Sequence, residues 1–350
     1  METTLEEFGW RPFFQKQIGP ESDQDFVPAR VVSVHRDRID VAGPKLQARI
    51  GRFPGVPGDD EYSATVGDWL LLDRQCARAV RRLDRSSLIK RRAAGKGRRI
   101  QLIAANVDTM FIVSSCNQDF NPARLERFLA LARASAVAAV VVLTKADLAD
   151  DASTYAAQAR GLMPGLLALT INARDRDDVA VLLPWVGTGQ TVAMVGSSGV
   201  GKSTLINTLA GSGTQKTRAA RADDDRGRHT TSARSLHRLP TGGWLVDMPG
   251  MREVQLAGVA AGIEDVFADV VALAAQCRFS DCTHRDEPGC AVREAIENGE
   301  IDAGQLDRYL KLAGEDEHNS QTIAERRARA RSFGRLIKEV SKERRRRGKE

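Results

Sequence analysis

Aromatic residues are scarce in this 350-residue chain: Phe, Trp and Tyr together make up 5% of it, with three tyrosines. Its cores must therefore be aliphatic, and an apolar content of 42% is enough to build them over two or three domains. Long apolar runs are missing too. No stretch approaches the roughly 20 residues that cross a bilayer, and no secretory pattern is visible near Met1. A cytoplasmic location is expected. Cysteine is sparse and odd in number, five in all, which argues for a reducing compartment and against a disulfide framework.

The charge is plentiful and unevenly placed. The net +6 conceals two basic blocks. Residues 85–99 hold seven Lys or Arg and no acid, and residues 321–350 hold twelve against four Glu, ending in Arg344-Arg345-Arg346-Arg347. Such blocks suit nucleic acid, an anionic membrane surface, or a merely solvated linker.

Along the chain, residues 1–26 are an extension with Phe8, Trp10, Phe13 and Phe14 as anchors of unassigned purpose. Short β-rich runs follow at residues 29–34, 39–41, 48–50 and 68–72, punctuated by glycine and proline. They predict a small β-barrel over residues 27–84, of the oligonucleotide-binding (OB) type or one without a ligand. The basic stretch 85–99 reads as a linker. From Ile100 strands alternate with helices (residues 109–114, 137–143, 166–171, 190–195 and 244–246 as strands; Asn121-Pro122 as a helix start), which argues for a doubly wound, mostly parallel α/β sheet.

One stretch organises the rest: Gly196-Ser197-Ser198-Gly199-Val200-Gly201-Lys202-Ser203-Thr204, between an apolar strand and a helix. Glycines let the backbone approach a polyphosphate, and the amides and helix N-terminus face its oxygens. Lys202 reaches the outer phosphates and Ser203 holds Mg2+. Thr144-Lys145-Ala146-Asp147, at the end of a predicted strand, selects the base. The Asp147 carboxylate accepts from guanine N1–H and its exocyclic amine, a donor pair that adenine lacks. Lys145 lies along the base, and the Asn172-Ala173 turn offers a backbone N–H to the guanine oxygen. Asp247-Met248-Pro249-Gly250 supplies Asp247 for Mg2+ and the Gly250 N–H for the γ-phosphate. Between the two lies a polar, glycine-rich segment, 211–235, expected to be a mobile loop; Thr230 in it is the first choice for the second Mg2+ hydroxyl, with Thr231 next. Met251 occupies the place of a water-orienting glutamine, so intrinsic turnover should be slow. His229 is the candidate to replace it, with a phosphate or RNA contact, or loop packing, as its other readings. Gly199 stands where some GTPases carry a potassium-assisting asparagine, so no potassium requirement is expected.

Cys277, Cys282, His284 and Cys290 follow the spacing C-x4-C-x-H-x5-C. Three thiolates and an imidazole suit a closed, structural Zn2+ site. Cys76 and Cys116 read as ordinary buried cysteines. Residues 302–313 read as an amphipathic helix beside the metal segment.

The base-reading tetrad precedes the phosphate loop, the reverse of the usual order, which indicates a circularly permuted G domain. With the barrel before it and the cysteine–histidine cluster behind, the chain resembles the ribosome small-subunit-dependent GTPase A family over residues 27–320. The resemblance implies an α/β P-loop GTPase domain, permuted and doubly wound, with an N-terminal OB-type barrel and a C-terminal zinc-binding α-helical domain. The expected divisions are 1–26 extension, 27–84 RNA-binding barrel, 85–99 linker, 100–258 GTPase, 259–320 zinc domain and 321–350 basic tail. It also implies GTP hydrolysis in late maturation of the small ribosomal subunit, stimulated by that subunit and its rRNA, and the same four zinc ligands. A monomer without membrane attachment is expected. A second reading is an rRNA-binding scaffold whose bound nucleotide only sets its shape. A nucleotide-regulated membrane-surface protein is disfavoured by the lack of a lipidation motif or apolar anchoring face.

Overall fold

The computed structural model describes residues 3–19, 26–53, 61–92, 100–211, 234–247 and 258–320. The first unit is built on β1 (Phe26–Val34). β1 pairs antiparallel with β2 (Arg38–Gly43), which turns into β3 (Leu46–Gly51). Its first half pairs with β4 (Trp69–Asp73), which continues into β5 (Ala79–Arg82). Alternate residues point inward: Ala29, Val31, Ile39, Val41, Ile50, Phe53, Leu70 and Leu72 form an all-apolar core. Within this unit β2 and β4 pair with β1, with β3 and β5 beyond them, and among the described residues β3 and β5 are not paired with each other, so closure of the expected barrel is not seen there. The Ala-Val-Arg-Arg of β5 is too polar to announce a strand.

Of the basic stretch 85–99, expected to be a linker, residues 85–92 are described, and they are built into the fold. Residues Leu88–Arg92 form β6, which pairs with β7 (Ile100–Ala105). Arg85, one of the cations of this basic block, is tied into the fold. Its guanidinium makes two 2.7 Å bonds to the fully buried Asp68 carboxylate and donates to the Glu61 and Ser63 carbonyls. Asp68 in turn accepts from the Thr65 N–H at 2.7 Å. Replacing Asp68 with Ala strands a buried guanidinium, and is expected to lower the unfolding free energy by about 3–5 kcal/mol. A urea titration should show an earlier midpoint at unchanged slope.

The N-terminal extension docks within the molecule. Its short helix α1 (Pro12–Gln15) and the turn before it bury Phe8, Trp10 and Phe14, while Phe13 stays 44% exposed. Trp10 and Phe14 pack on Trp69 of β4, and Phe8 packs on Trp244, whose indole N–H donates to the Glu7 carbonyl at 2.8 Å. Arg30 of β1, fully buried, ties three segments together by donating to the Phe8 and Asn106 carbonyls and the Thr191 hydroxyl. Burial without a directly paired carboxylate pulls its pKa down to about 10.

The α/β unit has five parallel strands in the order β10 (Leu167–Thr170), β9 (Ala138–Thr144), β8 (Thr109–Ser115), β11 (Thr191–Val195), β13 (Trp244–Asp247). Antiparallel β12 (Arg234–Arg238) comes next and pairs with β1, joining the two units in one sheet. The expected loop 211–235 therefore ends in a strand at Arg234; residues 212–233 lie outside the described residues. Strand alternation sends Met110, Ile112, Val141, Leu143, Ala193 and Val195 to one face, under α2 (Pro122–Ala134) and α3 (Ala152–Arg160). Phe111, Val113, Val140, Val142, Val192 and Met194 face the other side, under α4 (Arg176–Val179) and α5 (Lys202–Leu209). The sheet is thus wound on both faces, as expected. Asn121 caps α2 by accepting from the Arg124 N–H, with Pro122 in the first turn.

The last four helices are α6 (Ala260–Val266), α7 (Ala268–Ala274), α8 (Ala291–Glu297) and α9 (Ala303–Ser320). The helix expected at 302–313 runs on to Ser320. These helices share the core under α2 rather than building one of their own. Gly262 lets α6 lie against α2: a Cβ there would stand 2.1 Å from the Ala130 carbonyl oxygen. α9 is held to α2 by Arg308 on the buried Glu126 and by a bidentate Arg127–Glu315 pair at 2.5 Å. Burial pushes the Glu126 pKa up, and Arg308 opposes the shift.

Candidate nucleotide edge and metal centre

β8 leads outward through β9 to β10 on one side, while β11 leads to β13 on the other. The winding reverses between β8 and β11, and the carboxyl ends of strands beside such a reversal form the ligand crevice of open α/β sheets. The loop 196–204 leaves β11 at that point. Gly196 has φ +144°, and a Cβ there would meet the Val113 carbonyl oxygen of β8 at 2.1 Å, so only glycine lets the loop start so close to its neighbour. Val200 is buried, Ser198, Gly199 and Ser203 are exposed, and α5 begins at Lys202. The Lys202 ammonium curls over the loop, donating to the Gly196 carbonyl at 2.8 Å and to the Ser197 carbonyl.

The other sequence motifs reach the same edge. Thr144 ends β9 and is fully buried. Its hydroxyl lies 2.5 Å from the Val200 carbonyl and 3.1 Å from that of Ser114. One hydroxyl has one proton, and the shorter contact takes it. Thr144 thus anchors the phosphate loop to the tetrad rather than facing the base. Lys145 follows with φ +58°, a left-handed conformation that costs a non-glycine residue about 1 kcal/mol or more and is held by its surroundings. That turn opens the short 3-10 helix Ala146–Leu148 and leaves the Asp147 side chain exposed at the edge. The Ala146 N–H donates to the Ile171 carbonyl at 3.3 Å, tying the tetrad to the Asn172-Ala173 turn. Asn172 shapes this turn: its side-chain oxygen accepts from the Arg174 N–H and its own N–H donates to Asp178. Asp247 ends β13, one strand from the phosphate loop. Thr204 lies in the first turn of α5. His229, Thr230, Gly250 and Met251 lie outside the described residues.

Sequence reading missed Thr208, whose hydroxyl on the second turn of α5 lies 2.7 Å from the Ala173 carbonyl. A threonine inside a helix gives no motif, so nothing in the sequence marked it. Cys116, just past β8, is buried, and burial pushes its thiol up to about 11. Cys76 departs from expectation: it is half-buried in the turn before β5.

At the far end of the chain, Cys277, Cys282, His284 and Cys290 bring one ligand atom each within 4.8 Å of all the others. Cys277 Sγ is 3.9 Å from Cys290 Sγ, and His284 Nδ1 is 3.6 and 3.5 Å from those two sulfurs. A tetrahedron with Zn–S bonds of about 2.3 Å has sulfur–sulfur edges of about 3.8 Å, so the donor set fits zinc in spacing as well as in chemistry. Burial works against ionising Cys277, but the N–H groups of Val292 and Ala291 at the start of α8, together with hydrogen bonds from Cys282 and Cys290, lower its pKa on balance.

The model of the RsgA GTPase family matches residues 82–257 of the chain. A small ribosomal subunit biogenesis GTPase RsgA 2 of Vibrio parahaemolyticus is 47% identical over 98% of this chain and 94% of its own. The chain is a member of the RsgA GTPase family. A small ribosomal subunit biogenesis GTPase RsgA of Mesorhizobium japonicum is 48% identical over 91% of each chain. Among solved structures, YjeQ from Thermotoga maritima covers 83% of this family member and 98% of itself, with TM-score 0.60 and 24% identity. YloQ, described as a circularly permuted GTPase, covers 85% and 97%, with TM-score 0.58 and 22% identity. The permuted motif order thus goes with a fold that these relatives share.

Proposed function

We propose that this protein hydrolyses GTP to GDP and phosphate on the small ribosomal subunit, late in that subunit's maturation. The observation that supports the reading is the Thr144 hydroxyl on the Val200 carbonyl, which ties the stretch Thr144–Asp147 to the loop 196–204 at one edge of the sheet. The subunit comes from the relatives, which are small ribosomal subunit biogenesis GTPases. In this reading Lys202 leaves the Gly196 and Ser197 carbonyls for the outer phosphates, and the loop amides and α5 N-terminus oppose the remaining charge. Ser203, Thr230 and Asp247 hold Mg2+, which supplies neutralisation of the phosphate oxygens. Lys145, Asp147 and the Ala173 N–H choose the base, and the Gly250 N–H meets the γ-phosphate. His229 orients the attacking water in place of the absent glutamine. The four-residue centre at 277–290 holds structural zinc. The barrel, the basic block beyond β6 and the tail 321–350 supply cations for rRNA phosphates, with binding that weakens steeply with salt. Among the described residues no helix is long and apolar enough to cross a membrane; we place the protein in the cytoplasm as a monomer.

The test is GTP turnover by the purified protein, alone and with isolated small subunits at fixed salt. Low turnover that rises strongly with subunits is expected, and His229→Ala should remove the stimulated rate while GDP binding persists. Lys202→Ala should remove both rates, costing about a hundredfold or more in kcat/KM. A rate indifferent to subunits, with tight nucleotide-dependent binding to them, would instead favour the scaffold reading.

A further inference from the structure

We propose that Thr208 is a positioning residue for guanine recognition, holding the Ala173 turn so that its N–H meets the 6-oxo group of the base. The inference rests on the guanine reading of the crevice. Thr208 sits on the second turn of α5, the helix that starts at Lys202, and its hydroxyl lies 2.7 Å from the Ala173 carbonyl. The same hydroxyl is 3.1 Å from the Thr204 carbonyl one turn back. A helical threonine normally bonds that i−4 carbonyl. Here the shorter contact takes the single proton, so the hydroxyl reaches out of its helix to grip the turn.

The rest of the turn is fixed to match. Asn172 and Asp178 bind its backbone, and the Ala146 N–H holds the Ile171 carbonyl just ahead of it. Ala173 is 6% exposed, and among the described residues its N–H makes no hydrogen bond. A backbone N–H without a protein partner takes a ligand atom or solvent as its acceptor. Gripping the carbonyl of the same residue fixes the plane of the peptide that follows it and limits how far the turn can move. α5 therefore links the loop that cradles phosphates to the turn that reads the base. Thr144 makes the equivalent link from the other guanine motif, through Val200. Both connections are single threonine hydroxyls on carbonyls, and neither residue touches nucleotide in this reading.

The test compares three diphosphates by equilibrium binding to the full chain. GDP has both the 6-oxo and 2-amino groups, IDP keeps the 6-oxo group alone, and 2-aminopurine riboside diphosphate keeps the 2-amino group alone. Thr208→Val preserves shape and removes the hydroxyl. It should weaken GDP and IDP about tenfold, the size of one positioning hydrogen bond, and leave the 2-aminopurine nucleotide within about twofold. Thr208→Ser should restore GDP and IDP binding. Equal weakening of all three nucleotides would assign Thr208 to general folding and overturn the proposal. If the wild-type chain itself binds 2-aminopurine riboside diphosphate as tightly as GDP, the Ala173 reading fails first, and the proposal with it.

Discussion

Asp147→Asn is expected to transfer the protein's preference from GTP to XTP. Guanine presents two parallel donors, N1–H and the 2-amino group, and the carboxylate accepts both. Asparagine presents one acceptor and one donor. Its amide NH2 then opposes the guanine amine, donor against donor, while xanthine offers N1–H beside a 2-oxo acceptor and matches it. The loss for GTP combines a missing charge-assisted bond with a mispaired donor, and such mismatches in sites built for hydrogen bonding cost about a hundredfold to a thousandfold in kcat/KM. XTP should recover most of that loss. Folding should be untouched, because Asp147 is exposed and no described residue bonds its carboxylate. The check is kcat/KM for both nucleotides with and without small subunits. Equal loss for both would mean that the substitution damaged the crevice, and an unchanged GTP preference would remove Asp147 from base recognition.

Much of this crevice was legible in the chain because each motif is local. A strand, a glycine turn and a lysine carry their meaning within nine residues, and their order alone announced the permutation. The two faces of the sheet were also legible, since Val140 to Leu143 is an unbroken apolar run that only a strand buried on both sides can use. The contacts that join motifs were not legible. Thr144 was read as part of the base tetrad, yet its hydroxyl faces the phosphate loop, a pairing between residues 56 apart. Arg85 looked like one more cation in a basic block, and only the fold reveals Asp68 beside it. Trp10 and Phe14 signalled docking without naming the surface, which is Trp69 of the β-unit. In each case the sequence carried the chemical type of the residue, and the partner came from a distant segment.

Replacing Cys282 with Ser is the second change of large expected effect. The loop 277–290 is rich in polar residues, bends through His284 at φ +60° and is mostly half-buried or exposed, so little apolar burial holds it. Cys277 follows α7 and Cys290 stands at the N-cap position of α8, so a metal held by the four residues would link the two helices through the loop. Structural zinc sites of this kind contribute about 10–16 kcal/mol of apparent binding free energy that doubles as folding free energy. A serine hydroxyl is a far poorer zinc ligand than a thiolate, and three remaining donors leave the tetrahedron open. The native chain should carry one zinc per molecule and the variant close to none, measured by atomic absorption. Amide exchange in residues 277–297 should accelerate about a thousandfold or more as the loop and the start of α8 open locally. The nucleotide edge should be spared, because α2 is met by Gly262 of α6 on Ala130 and by Arg308 of α9 on Glu126, contacts that do not involve the metal loop. GDP affinity is therefore expected to stay within about threefold, less than the loss of one net hydrogen bond. Retention of full protection in a zinc-free variant would show that apolar packing alone holds the loop. A collapse of GDP binding would show that the metal also braces α2, making the zinc centre part of the nucleotide site's own support.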